Sequence, residues 1–119
     1  MMKKFIYIPF FAMALYSCDT HTYEDIEVPV IVDGSVTYNA QIKTIIDANC
    51  TGCHSPGSNA GFRPLTNYAE VKDAVQNTDL LDRIQRQNGE QGIMPATGRM
   101  SQNNIDLILQ WNADGLLEN

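Results

Sequence analysis

Two cysteines and one of the chain's two histidines fall in a single pentapeptide, Cys50-Thr51-Gly52-Cys53-His54. The spacing C-x-x-C-H is the attachment signature of c-type haem. At the C-terminal end of a helix, positions i, i+3 and i+4 share one face. Cys50 and Cys53 can then both reach the vinyl groups of one haem, and His54 is brought beneath the iron. Thr51 and Gly52 are small enough to let a macrocycle approach the backbone. Other uses of the pentapeptide fit less well. A structural zinc site wants four ligands, usually from paired cysteine motifs. A thioredoxin-like redox pair needs a βαβ setting that this sequence lacks. A plain short-loop disulfide leaves the adjacent histidine without a purpose. One haem c (iron) per chain, covalently attached, is the expected cofactor.

The sixth iron ligand is expected downstream, at Met94. A thioether is a soft, weak ligand that favours reduced iron and raises the potential. Met94-Pro95 lies in the Gly89–Gly98 stretch, a loop able to fold across a second haem face. Met100 stands at the foot of the last predicted helix and fits the commoner role of core packing, and Met13 lies in a leader segment. His21 stands alone in a polar linker and reads as solvated.

That leader occupies residues 1–17. Lys3 and Lys4 form a positive start, and Phe5 to Leu15 is an apolar stretch of 11 residues, too short to span a bilayer. Leu15-Tyr16-Ser17-Cys18 follows and resembles the lipobox of bacterial lipoproteins, in which the chain is cut before the cysteine and the cysteine is acylated. That resemblance implies lipidation at Cys18, export to the cell envelope (periplasmic face or outer membrane), and membrane attachment through the lipid anchor only. Residues 18–34 carry five acidic and no basic side chains and read as a solvated tether. Within it, 28–32 is a candidate edge strand weakened by Pro29. The three cysteines are then accounted for, one for lipid and two for haem.

The whole chain has 119 residues with 8 Lys+Arg against 14 Asp+Glu, a net −6. Without residues 1–17, six basic side chains face 14 acidic ones, a formal −8. Such a balance excludes a nucleic-acid surface and predicts a redox partner with a basic docking face.

Residues 35–119 are expected to form one all-α domain of about four helices. The first is capped by Thr37 and carries Ile42, Ile45, Ile46 and Ala48 inward. The second follows Leu65-Thr66 with Tyr68, Val71, Ala74 and Val75 on its apolar side. The third starts at Asp79 and buries Leu80, Leu81 and Ile84. The last begins at Ser101 and carries Ile105, Ile108, Leu109 and Trp111. With 85 residues the core is thin, and a bound cofactor adds apolar volume.

In this order of parts, residues 35–119 resemble a class I cytochrome c domain. The pieces that carry the resemblance are Cys50-Thr51-Gly52-Cys53-His54, Ile93-Met94-Pro95 and Ile108-Leu109-Gln110-Trp111. It implies a haem clamped between His54 and Met94, first and last helices crossing beside it, and single-electron transfer between redox partners. It also implies a proline carbonyl holding the proximal histidine, for which Pro64 is the candidate. The haem wall is expected from Ile42, Ile46, Val71, Leu81, Ile93, Ile105 and Ile108. Arg63, Arg99, Tyr68 and Trp111 are candidates for binding the propionates. No enzyme motif is present and no catalytic residue is expected: an electron carrier is the reading. The alternatives are a haem-c sensor or peroxidase-like module with an open sixth position, or a docking subunit of a larger oxidoreductase.

Overall fold

The computed structural model describes residues 30–119. The leader, Cys18, His21 and most of the tether lie outside the described residues. So do positions 28 and 29 of the candidate strand, and Val30 to Val32 form none.

The first helix opens at Thr37, whose hydroxyl accepts the Ala40 N–H at 3.3 Å while its own N–H donates to the Gln41 side chain at 2.9 Å. This reciprocal cap satisfies two backbone donors that a helix start leaves unpaired. The chain begins with a wide π-turn, Tyr38–Ile42, and continues without a break into α1, Lys43–Asn49. Ile42, Ile45 and Ile46 are buried as expected, but Ala48 is exposed. The π-turn shifts the register at the start, and the buried stripe ends with Ile46.

Helix α2, Tyr68–Asn77, is capped by Asn67, and the Glu70 carboxylate reaches back to the Thr66 N–H at 2.7 Å and hydroxyl at 2.8 Å. Those hydrogen bonds hold the Glu70 pKa below its ordinary value. Helix α3, Leu80–Gln85, is short, with Ile84 its one buried residue and Leu80 and Leu81 half-buried. Helix α4, Gln102–Ala113, is capped by Ser101 and buries Ile105, Ile108 and Trp111, spaced three apart along one face. Leu109 is only half-buried. The π-turn packs on α4, α2 on α3, and α3 on α4. Among the described residues there is no β-strand, only an isolated bridge between Thr37 and Leu117. The chain is all-α.

The C-terminal segment closes the helical layer. Beyond α4 the backbone turns sharply through Gly115 (φ +96°) and Leu116 (φ +58°). The turn brings the Leu117 and Glu118 carbonyls onto the free N–H groups of Tyr38 (2.8 Å) and Asn39 (3.0 Å). The Leu117 carbonyl also accepts the Trp111 indole N–H at 2.8 Å. Tyr38, Tyr68 and Trp111 pack edge-to-face or tilted, with ring centroids 5.6–6.3 Å apart, tying the first helix, α2 and α4 into one core.

Candidate functional site

The pentapeptide continues the last turn of α1. The Cys50 N–H donates to the Ile46 carbonyl at 2.8 Å, and the Cys50 carbonyl accepts from Cys53 (3.1 Å) and His54 (2.9 Å). The backbone therefore holds 50, 53 and 54 on one tight turn, with Thr51 tied back to the Asp47 carbonyl at 2.9 Å. A Cβ at Gly52 would meet nothing within 4 Å. The chain itself does not demand glycine there, and the space beside it stays open.

After His54 a compact loop folds back on the motif. The Cys53 carbonyl accepts from the Ala60 N–H (2.8 Å) and the Ser58 hydroxyl (2.7 Å), and the His54 carbonyl from Leu65 (2.8 Å). Gly61 sits so close to this turn that a Cβ would lie 2.8 Å from the Ser55 carbonyl oxygen and 3.0 Å from the Gly57 nitrogen. Both are backbone atoms and cannot step aside cheaply. Gly61→Ala is accordingly expected to cost about 1–3 kcal/mol of stability, the usual range for overpacking, measured by urea denaturation.

This loop delivers the Arg63 carbonyl to His54, whose Nδ1 donates to it at 2.8 Å. A carbonyl only accepts, so the bond fixes the proton on Nδ1 and leaves the lone pair on Nε2. The acceptor corrects the expectation at Pro64: it is the carbonyl of the preceding residue. The loop's hydrogen bonds, from Ala60 to Leu65, turn that peptide inward.

His54 lines a mainly apolar cleft of about 280 Å³, and Cys50 and Met94 line the same cleft. Its other walls include Phe62 and Leu65 from the loop, Ala74 from α2, Thr78 just after it, Leu80 and Ile84 from α3, and Pro95, with Asn49, Arg63, Asp79 and Arg83 as the polar part of the lining. Phe62 is 88% exposed, a large apolar ring at the cleft with no protein cover. Met94 and His54 are 40 positions apart in sequence, so only the fold brings them together. Cys53 is exposed and does not line the cleft. Met100 is in the core, 5% exposed.

Burial pushes the Cys50 thiol from 9.0 up to about 11. That leaves about a hundredfold less thiolate at neutral pH than an unburied cysteine carries. In haem-free protein, iodoacetamide at neutral pH should therefore modify exposed Cys53 well before Cys50, read by peptide mass. The raised value also fixes a sign: the folded state prefers the protonated thiol. Its contribution is intact below pH 9.0 and is lost as pH rises through about 11.

None of the seven residues expected to wall a haem lines this cleft. Ile42, Ile46, Val71, Ile105 and Ile108 are buried in the core between helices and do not line the cleft, nor do Leu81 and Ile93. Ala74, Leu80 and Ile84 wall the cleft instead, Ala74 and Ile84 being part of the core at the same time and Leu80 packed against it. Two candidate propionate ligands are engaged in the core instead. The Tyr68 hydroxyl donates to the Leu116 carbonyl at 2.9 Å, and Trp111 is fully buried. Arg63 does line the cleft and lies 3.6 Å from Asp73. Arg99 does not, and donates to Gln102 at 2.8 Å.

Among the described residues no three His, Cys, Asp or Glu side chains converge in a way that could hold a metal ion. No helix among them is long and apolar enough to cross a membrane. What the cleft offers is a histidine nitrogen with its tautomer set, a thioether, one thiol (Cys50) with the second, Cys53, on the same turn outside it, and mainly apolar walls. Comparisons of the chain with protein-family models, with curated proteins and with solved structures gave no match.

Proposed function

We propose that this chain is a mono-haem c-type cytochrome with a class I cytochrome c fold, passing single electrons between redox partners at the cell envelope. Cys50 and Cys53 would carry the haem, and His54 and Met94 would hold its iron. The observation that supports this best is the His54–Arg63 hydrogen bond. It leaves Nε2 as the free donor on a ring that lines one apolar cleft with Cys50 and Met94.

Bound there, a haem supplies a one-electron Fe(III)/Fe(II) couple. The chain's own residues account for the rest. The Arg63 carbonyl orients the imidazole and makes it a stronger donor. The Met94 thioether favours the reduced metal. Leu65, Ala74, Leu80 and Ile84 exclude water and so lower the local dielectric, which disfavours the more highly charged oxidised form. A planar apolar group in the cleft would also cover Phe62. No residue is assigned a catalytic role.

The same reading carries the acylated Cys18 and the acidic tether of residues 18–34, with the lipid as sole membrane anchor. A surface at −8 is repelled by anionic head groups, so the lipid does the holding. It also favours partners with a basic face, with association that slows as salt is raised.

The test is the optical spectrum of the matured protein, oxidised, then reduced, then exposed to CO. Sharp reduced haem-c bands, a weak far-red sulfur-to-iron band when oxidised and no response to CO are expected. A CO response in the wild-type protein would replace the carrier with a sensor or peroxidase-like module. Absence of any haem band after co-expression with a maturation system would return Cys50 and Cys53 to a disulfide.

A further inference from the structure

Met94 stands in an irregular segment between α3 and α4, and its placement depends on what ties that segment down. Three hydrogen bonds join the residues just before and at Met94 to α3 and its cap. The Met94 N–H donates to the Arg83 carbonyl at 3.2 Å. The Arg83 Nη1 donates to the Gly92 carbonyl at 3.3 Å, and the Arg86 Nη1 donates to the Gln91 carbonyl at 2.6 Å. Each guanidinium is steadied from its other edge by a carboxylate one helical turn back. Arg83 Nε lies 2.8 Å from Asp79 Oδ2, and Arg86 donates to Asp82 through Nε at 3.0 Å and through Nη2.

Position 92 is shaped for this arrangement. Gly92 has φ +77°, and a Cβ there would come within 2.4 Å of Arg86 Nη1 and 3.1 Å of Arg83 Nη1. Any side chain there would force the Arg86 guanidinium to shift and the Arg83 one to give by a few tenths of an ångström, and would sit strained at a positive φ. Exposed i,i+4 ion pairs contribute little by themselves. A fixed guanidinium fork donating to a loop carbonyl is different, because charge-assisted bonds are stronger and more directional than neutral ones.

We propose that Arg83 and Arg86 are positioning residues for Met94, a paired latch that holds the 91–94 segment against α3 so that the thioether stays at the cleft. The proposal rests on the reading of Met94 as an iron ligand. A thioether is a weak ligand, so the order of its loop decides whether it remains bound.

The experiment uses the matured, haem-loaded protein and the variants Arg83→Gln, Arg86→Gln, the double variant, and Gly92→Ala, which crowds the Arg86 guanidinium most while keeping both arginines. Leu81→Ala, half-buried against the core and outside the latch, controls for general destabilisation. The latch variants should keep wild-type haem-c absorbance per chain but show a weakened or absent far-red band. Their reduced forms should bind CO at least about tenfold faster than wild type, as expected when a charge-assisted hydrogen bond is lost. Leu81→Ala should lower the melting temperature with the band intact and CO still excluded. If wild type shows the band and the latch variants keep both the band and CO exclusion, the latch is refuted while the ligation stands. An equal CO response from Leu81→Ala would also refute it. If wild type itself lacks the band, the ligation reading falls and the latch with it.

Discussion

Met94→Ala is expected to abolish the far-red band of the oxidised protein and let the reduced protein bind CO, whereas Met100→Ala should do neither. The contrast follows from where the two thioethers sit. Met94 is half-buried and lines the cleft with His54 and Cys50. Met100 is 5% exposed, packed in the core just before Ser101 caps α4. Removing Met94 takes away a ligand and little packing, so the helical content of the variant should match wild type. Removing Met100 leaves a cavity, and large-to-small core changes of this kind cost about 2–5 kcal/mol. One pair of variants therefore separates the two roles, with the spectrum reading the first and a urea titration the second. A CO response from Met100→Ala with the far-red band retained in Met94→Ala would reverse the assignment.

Trp111→Ala should produce the largest loss of stability of any single change considered, about 3–5 kcal/mol. A domain of this size is stable by about 4–13 kcal/mol at 0.05–0.15 kcal/mol per residue, so the variant would forfeit between a quarter and all of it. The side chain is fully buried and contacts both Tyr38 and Tyr68. Its indole N–H also shares the Leu117 carbonyl with the Tyr38 N–H. Losing the ring thus loosens the clasp between the C-terminal segment and the start of the first helix as well as the core. Trp111→Phe keeps most of the volume and loses one hydrogen bond, a change worth about 1 kcal/mol, since the Leu117 carbonyl still accepts the Tyr38 N–H. Its haem spectrum should match wild type, because Trp111 lies in the core and not at the cleft. A Trp111→Phe protein with an altered haem spectrum would restore Trp111 as a cofactor contact.

Part of this protein was legible in the one-dimensional pattern. Helix existence followed from apolar spacing and from the caps Thr37 and Ser101, each of which accepts a nearby N–H; Asn67, which caps α2 in the same way, went unread. The turn through Cys50, Cys53 and His54 was legible for the same reason, because i, i+3 and i+4 spacing is a local property of a helix end. The different placement of Met94 and Met100 was also readable, since one lies in a glycine-rich loop and the other at a helix start, and the structure has the first at the cleft and the second in the core.

What the sequence left open depends on contacts between distant segments. Periodicity says that Ile42, Ile105 and Ile108 are buried. It does not say whether they face another helix or a cleft, and the tertiary packing turned them to each other and gave the cleft to Ala74, Leu80 and Ile84. The Arg63 carbonyl could not be found from residue types, because every residue has a carbonyl and only the folding of the 54–65 loop selects one. Nothing in the residue types or spacing of Arg83 and Arg86 tells that the Gln91–Met94 segment lies across them. Local chemistry wrote the helices, their caps and the thiol–imidazole turn into the sequence. The cleft, the acceptor that sets the His54 tautomer and the arginines that hold Met94's loop arose only when segments far apart in the chain were packed together.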